Sequence, residues 1–386
     1  MRASFIASVS AMLMAACNAT GETVESGNSV APAAASERPF QVSTVAQLSE
    51  PWAMAFIPGT DQALITEKAG RLKMLWSASG RIGDVAGAPT VDYGGQGGFG
   101  DIAFHPGFDA NRLVYLSWIE AGQGGRGAVV GRARLVIEGG SGPRLEAMQI
   151  VWRQHPKMSG RGHYAHRIRF SPDGDYMFIS SGDRQEFTPA QDTNANLGKI
   201  LRLRDDGSVP PDNPFASRGG VAAQIWSLGH RNPLGLAFAP DGRLWEHEMG
   251  PAGGDEFNLI ERGSNFGYPI VSNGDHYDGK TIPDHDTRPE FNAPEITWTP
   301  VISPSSLIFY TGRQFPGWSG SALIGALSGK ALLRVTIDGN NARVADRWDM
   351  GQRIREVEQG PDGSVWLLED QQGGSGGRLL KLTPAR

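Results

Sequence analysis

Arg169-Phe170-Ser171-Pro172-Asp173-Gly174 closes one short apolar run and opens another, and the phrase returns as Ala237-Phe238-Ala239-Pro240-Asp241-Gly242 and as Gln359-Gly360-Pro361-Asp362-Gly363. Shorter forms stand at Ala55-Phe56-Ile57-Pro58-Gly59 and Ala103-Phe104-His105-Pro106-Gly107. A sixth unit, residues 307–338, keeps the rhythm without Pro-Asp-Gly. Such a turn has a mechanism: proline presets φ, aspartate bonds the local backbone, and glycine takes positive φ. A strand-like run follows each copy, at 64–67, 113–118, 176–180, 244–247, 322–326 and 365–369. A Gly-containing turn then leads to a further apolar run, at 72–75, 129–135, 200–204, 257–260, 332–337 and 379–382. Little helical periodicity interrupts this pattern. The reading is an all-β fold, a six-bladed β-propeller of four-stranded antiparallel blades. Two β-sandwiches in tandem are the competing architecture, but the phrase returns through nearly the whole chain with no linker between copies. In a propeller, loops at one face converge on the axis. Functional residues should therefore come from different blades, far apart in sequence.

Composition agrees. The 386 residues include 52 Gly, where average usage of about 7% would give roughly 27. That is a turn-rich chain. With 39% hydrophobic residues, 10 Trp, 7 Tyr and 16 Phe it has the means to build a core and is not disordered. Lys+Arg number 36 against 41 Asp+Glu, a net charge of −5, which argues against a nucleic-acid partner. The length exceeds the roughly 250–300 residues at which a single core stops growing, and a propeller answers this by dividing its core into layers.

The N-terminus carries a compartment signal. Residues 1–17 hold Arg2, an apolar run from 5 to 16 and then Cys17, the only cysteine. This is short of the roughly 20 residues that span a bilayer and reads as a secretory signal peptide. Leu13-Met14-Ala15-Ala16-Cys17 resembles a bacterial lipoprotein box, which would put a lipid anchor on Cys17. Met14 stands where that box usually has Leu, Val or Ile, so ordinary signal cleavage stays open. Residues 18–38 are small, polar and Pro-containing and read as a flexible tether, with the propeller at 39–386. The expected location is outside the cytoplasm, periplasmic or anchored at the outer membrane. One cysteine excludes an intramolecular disulfide.

Five segments carry chemistry. Gly94-Gly95-Gln96-Gly97-Gly98 lets backbone amides and the Gln96 side chain approach a ligand, although such turns are most often only turns. Gly162-His163-Tyr164-Ala165-His166-Arg167 is followed one strand later by Asp183, a plausible base and its orienting carboxylate. Two histidines lie within that segment, and composition alone does not choose between them. Gly229-His230-Arg231-Asn232-Pro233 sets a guanidinium beside an amide, suited to a developing oxyanion. His247-Glu248-Met249-Gly250-Pro251-Ala252-Gly253-Gly254-Asp255-Glu256 offers carbonyl and carboxylate oxygens of the kind Ca²⁺ takes, without EF-hand spacing. Arg353-Ile354-Arg355, by strand alternation, puts two guanidinium groups on one face, an anion clamp or else a solvated edge.

Together with Phe104-His105-Pro106 and Asn265-Phe266-Gly267-Tyr268-Pro269, these segments resemble the soluble glucose/sorbosone dehydrogenase family, in particular its bacterial aldose sugar dehydrogenase branch. The resemblance runs from about Phe40 to the C-terminus. It implies a six-bladed propeller using pyrroloquinoline quinone (PQQ) and Ca²⁺ to oxidise the anomeric carbon of aldose sugars to lactones, with a quinone or respiratory electron acceptor, as a monomer or homodimer. It further implies that His163 is the general base, Asp183 its tuning carboxylate, and Arg231 the group that steadies the substrate oxygen. Gln96, Asn232, Arg353 and Arg355 would contact the cofactor. The Gly250 and Pro251 carbonyls would bind its Ca²⁺. Asp255, Glu256 and the Phe266 carbonyl would form part of a second, structural Ca²⁺ site.

Three departures stand out. Ser328 occupies the place of a family lysine, and Lys330, two positions on, is the expected substitute. Tyr164 and His166 replace smaller residues and would narrow the cleft, and Val301 replaces a threonine contact. Two other functions stay open at this stage. One is a calcium-dependent propeller hydrolase, lactonase-like, which would use His163 without a quinone. The other is a propeller without cofactor that serves as a binding module. The Arg353/Arg355 pair speaks against the first, since a neutral lactone needs no double guanidinium; Ser328 keeps the second open.

Overall fold

The computed structural model describes residues 29–30, 37–137, 142–374 and 376–385. The signal segment, Cys17 and most of the 18–38 tether lie outside them. The described chain forms six sheets. Their first strands are Pro51–Phe56, Phe99–Phe104, Ala165–Phe170, Pro233–Phe238, Pro304–Phe309 and Ile354–Gln359. Each packs against the next, and the sixth against the first, so they line a closed ring. We number the blades 1 to 6 by these inner strands. Within each blade successive strands run antiparallel outward. This is the six-bladed β-propeller read from the sequence.

The core is divided as that architecture requires. Six buried clusters fill the six gaps between neighbouring blades. Leu64 and Met74 meet Val114 and Leu116 between blades 1 and 2. Val130 meets Ile179 between 2 and 3, and Ile200 meets Leu236 between 3 and 4. Trp245 meets Ile324, Leu332 meets Leu367, and Trp366 meets Ile65 across the remaining gaps. Middle strands such as Met177–Ser181 and Val365–Glu369 are buried throughout because a sheet covers each face, which is why they read as apolar runs rather than as alternating ones. At about 1.5–3 kcal/mol per buried large aliphatic or aromatic side chain, these layers supply most of the stabilisation.

The repeated turns join first to second strands, all on one face of the ring. Gly174, Gly242 and Gly363 have φ of 80°, 86° and 83°. The preceding aspartates each accept the amide two residues ahead: Asp173 from Asp175 at 3.1 Å, Asp241 from Arg243 at 3.0 Å, Asp362 from Ser364 at 3.0 Å. The copy at Gly107 differs. Its φ is −89°, and it opens the short helix Phe108–Asn111 instead of a tight turn.

Closure joins the two ends of the described propeller. Phe40–Gln47 forms the outer strand of blade 6, paired from Phe40↔Pro384 to Gln47↔Arg378. Ser29–Val30 adds a parallel strand to the edge of blade 4. At the hub, Arg167, on the inner strand of blade 3, touches the other five inner strands. It donates to Asp101 at 3.0 Å, to the Leu234 carbonyl at 2.7 Å and to the Ser305 carbonyl at 2.6 Å. It lies 2.8 Å from Glu356 and 4.2 Å from the Trp52 ring. It is 0% exposed.

Candidate active site

The face opposite the repeated turns carries two kinds of loop: those entering each inner strand and those leaving each second strand. His163 lies in the loop entering blade 3. It is held at a φ of 45°, with Ala165 at 54° and His166 at 68°, conformations that cost a non-glycine residue about 1–3 kcal/mol. Two contacts fix it. Its amide donates to Gln96 Oε1 at 2.7 Å, and its Nδ1 bonds Asp183 Oδ1 at 2.7 Å. Asp183 follows the second strand of blade 3, is fully buried, and takes the Gln185 amide as well. A carboxylate at Nδ1 places the proton there and leaves Nε2 with its lone pair. Burial lowers the His163 pKa, Asp183 partly restores it, and Arg231 and Arg184 lower it further, for a net shift below the usual 6.5. The imidazole is therefore a neutral base at neutral pH.

His166 is a different group. Its ring stacks on Trp52 at 5.0 Å, its Nδ1 pairs with the Ser117 hydroxyl at 2.8 Å, and burial pushes its pKa down to about 3. Of the two histidines that composition left open, only His163 has a carboxylate partner.

Arg231 and Asn232 precede the inner strand of blade 4. Glu248, at the end of the next strand, accepts both their amides and also faces His230 Nδ1 at 3.1 Å. The Arg231 guanidinium donates to the Met249 and Gly250 carbonyls at 2.9 and 2.6 Å and to the Tyr277 hydroxyl at 3.3 Å. Arg231 Nε and Asn232 Oδ1 are buried without a protein partner.

A pair of cavities meets at these residues. A chamber of about 230 Å³ is lined by Trp52, Lys68, Gln96, Asn232, Met249, Leu327, Arg353 and Arg355. An alcove of about 210 Å³ is lined by His163, Arg231, Pro251, Phe187, Tyr268 and Tyr277. Gln96, which lines the chamber, holds the His163 backbone, and Asn232 and Arg231 are neighbours, so the two spaces share a wall. Arg353 and Arg355 both reach Asp370 Oδ2, at 3.3 and 2.5 Å.

Several expected groups sit elsewhere. Lys330 is exposed, at a φ of 47°, and does not line the chamber. The Ser328 hydroxyl is engaged by Ser303 at 2.7 Å. Tyr164 and His166 line the chamber as packed, buried walls. The Gly250 carbonyl faces Arg231, and Pro251 belongs to the alcove. Asp255 is held by backbone amides. Its two oxygens take the amides of Gly250, Ile302 and Ser303 at 2.7–2.8 Å, while burial raises its pKa to about 6. The Phe266 carbonyl accepts His285 Nε2 at 3.0 Å.

Glu256 belongs to a buried acidic cluster of which the sequence reading found only some members. Glu246, Glu248 and His230 offer atoms within 4.8 Å of one another, and Asn258 bridges Glu246 and Glu256 at 3.0 and 3.2 Å. Glu246 Oε1 and Asn258 Oδ1 have no protein partner. Burial and then Glu248 push the carboxyl pKa of both Glu246 and Glu256 up. Lys68, Trp52, Phe187 and Tyr277 are among the other lining residues that sequence reasoning missed. Strand ends give no sign of which charges turn inward.

The glucose/sorbosone dehydrogenase family model matches residues 48–381. The chain is 37% identical over 346 residues to the aldose sugar dehydrogenase YliI of Escherichia coli strain K12, covering 88% of this chain and 91% of that protein. Among solved structures it is similar to the apo form of the soluble aldose sugar dehydrogenase of Escherichia coli, with 36% identity and a TM-score of 0.82 over 90% of this chain and 100% of the other. It is also similar to the PQQ-bound form of an aldose sugar dehydrogenase from Streptomyces coelicolor, with 28% identity and a TM-score of 0.71 over 89% and 98% of the two chains.

Proposed function

The chain belongs to the glucose/sorbosone dehydrogenase family, and from that premise we propose that it is an exported, PQQ- and calcium-dependent dehydrogenase that oxidises the anomeric carbon of aldose sugars to lactones and passes the electrons to a quinone or respiratory acceptor. One observation carries the reading: a buried His–Asp pair shares a wall with a chamber in which three cationic side chains face apolar plates.

The chamber fits a flat polyanion. Trp52, Leu234, Met249 and Leu327 offer apolar surface, Lys68, Arg353 and Arg355 offer charge, and Asn232 Oδ1 lacks a protein partner. PQQ, when bound, would supply a two-electron acceptor for the sugar hydride. Gln96, Asn232, Arg353 and Arg355 would hold it. For calcium, buried Glu246 and Glu248, with His230, bring ligand atoms within 4.8 Å of one another, Glu256 joins them through Asn258, and the unpaired Glu246 Oε1 and Asn258 Oδ1 are hard oxygen donors of the kind such an ion takes. The Gly250 carbonyl is engaged by Arg231, so a cation there would require the guanidinium to move aside.

The protein's own role follows from the geometry. A sugar in the alcove would lay its ring against Phe187 and Tyr277 with the anomeric hydroxyl at His163. His163 Nε2 takes the hydroxyl proton as the C1–H hydride departs, and Asp183 steadies the imidazolium that forms. Arg231 offers positive charge to the substrate oxygen while it becomes a carbonyl.

Reconstitution tests this. Protein mixed with PQQ and Ca²⁺, then given aldoses and a redox dye, is expected to reduce the dye. Silence with every aldose, and no change in quinone absorbance on mixing, would favour a hydrolase or a binding module instead.

A further inference from the structure

We propose that Lys68 is a cofactor-binding residue: the third cation of the chamber, holding a carboxylate of the bound quinone where the lysine expected near Ser328 does not. This deepens the PQQ reading and rests on it.

The charge count motivates the assignment. Arg353 and Arg355 share Asp370, so the three groups together carry one net positive charge. A planar tricarboxylate would bring three negative ones. Lys68 is the further cation in the lining. It follows the second strand of blade 1, Gln62–Glu67, and its side chain is only 7% exposed. An ammonium has three protons to donate, and Nζ places one on the Gly95 carbonyl at 3.1 Å. The Glu50 carboxylate lies 3.9 Å away, beyond hydrogen-bond reach. Burial lowers the Lys68 pKa, the positive charge of Arg355 lowers it further, and Glu50 and Asp370 offset this only in part. A sequestered ammonium placed against a second cation is an arrangement that an incoming anion would relieve. Lys330, by contrast, is exposed and outside the lining.

A merely structural role would be to prop the Gly94–Gly98 loop through Gly95. The experiment separates the two. The full chain, with Ca²⁺ present, is titrated with PQQ and with its neutral trimethyl ester, following quenching of tryptophan fluorescence, to which Trp52 in the wall contributes. Lys68→Met is expected to weaken PQQ binding by about 10-fold or more, the size of a lost charge-assisted hydrogen bond, with the trimethyl ester unaffected. Lys68→Arg should restore most of the affinity, and Lys330→Met should leave it unchanged. Equal affinity of wild type and Lys68→Met for PQQ overturns the proposal. So does an equal loss for acid and ester, which would mark a propped loop. If wild type binds no PQQ, the cofactor reading falls and this assignment with it; if wild type binds and Lys68→Met binds as well, only the assignment falls.

Discussion

The two faces of the propeller are built by different rules. On one, Asp173, Asp241 and Asp362 make the same two-residue reach, and their glycines take nearly the same φ. On the other, no two loops are alike, and buried polar side chains hold them. Asp183 fixes a histidine, Glu248 fixes two successive amides, Asp255 fixes three, and Asp370 draws two guanidinium groups together. Of the described non-glycine residues at positive φ, all but Arg112 and Ala147 lie in loops of this second face or, like Ala165 and His166, at the start of the strand such a loop enters. Repetition makes the ring. The strained, polar, non-repeating loops make the chemistry, and six apolar layers absorb their cost.

That contrast can be broken most forcefully at His163. Replacing it with Ala should lower turnover by about 10²–10⁴-fold while the thermal midpoint stays close to wild type, because the base serves the reaction and not the ring. Near-normal turnover in dye reduction would remove the role.

Next in size is the hub, which belongs to neither face. Arg167→Leu leaves Glu356 buried without its counter-charge and Asp101 with Arg169 alone, and should cost about 3–5 kcal/mol in denaturant unfolding. A loss under about 1 kcal/mol, the scale of an exposed ion pair, would mean that the blades do not depend on it.

The pH profile sharpens the site-face side. A base acts only when deprotonated, and the His163 pKa is shifted below 6.5, so turnover should hold as pH falls through 6.5 and decline only below it. Asp183→Asn removes the interaction that raises this pKa. The acid limb should then move to still lower pH, with a lower plateau from a weaker, unsteadied base. An acid limb at or above pH 6.5 in wild type would contradict the desolvated environment.

The smallest effect compares one substitution on both faces. An added Cβ at Gly242 meets nothing within 4 Å, so Gly242→Ala should cost about 1–2 kcal/mol for its left-handed backbone and leave activity alone. At Gly98 the same atom would lie 2.2 Å from the Lys68 carbonyl, so Gly98→Ala should lose more stability and PQQ affinity together. Equal outcomes in calorimetry and binding would erase the distinction between the faces.

How much could be read from the chain depends on the same division. The six units and their second and third strands were legible because turn chemistry is local and because most strands covered on both faces are predominantly apolar. The pairing of Phe40–Gln47 with Arg378–Pro384 was not, since ring closure alone brings those segments together and the mostly exposed first of them has no apolar signature. At the site, His163 with Asp183 and the Arg353/Arg355 pair stood in segments whose residue types announce their chemistry. Lys68 at a strand end looked like any surface charge, and Lys330 like a pocket residue. A strand shifted by one position turns every side chain to the other face, so neither could be oriented before the strand ends were known. The structural part of Asp255 was not legible either, because nothing local reveals three amides converging on it from two loops.

Arg167 has one more consequence. A guanidinium with no water-exposed surface that projects from one wall and meets the other five corks the axis, so the molecule is a cup and not a tube. Under the proposed function, sugar, lactone and oxidant would share a single doorway and take turns in it, and that queueing would appear as parallel lines when initial rates are plotted reciprocally against sugar at several acceptor concentrations.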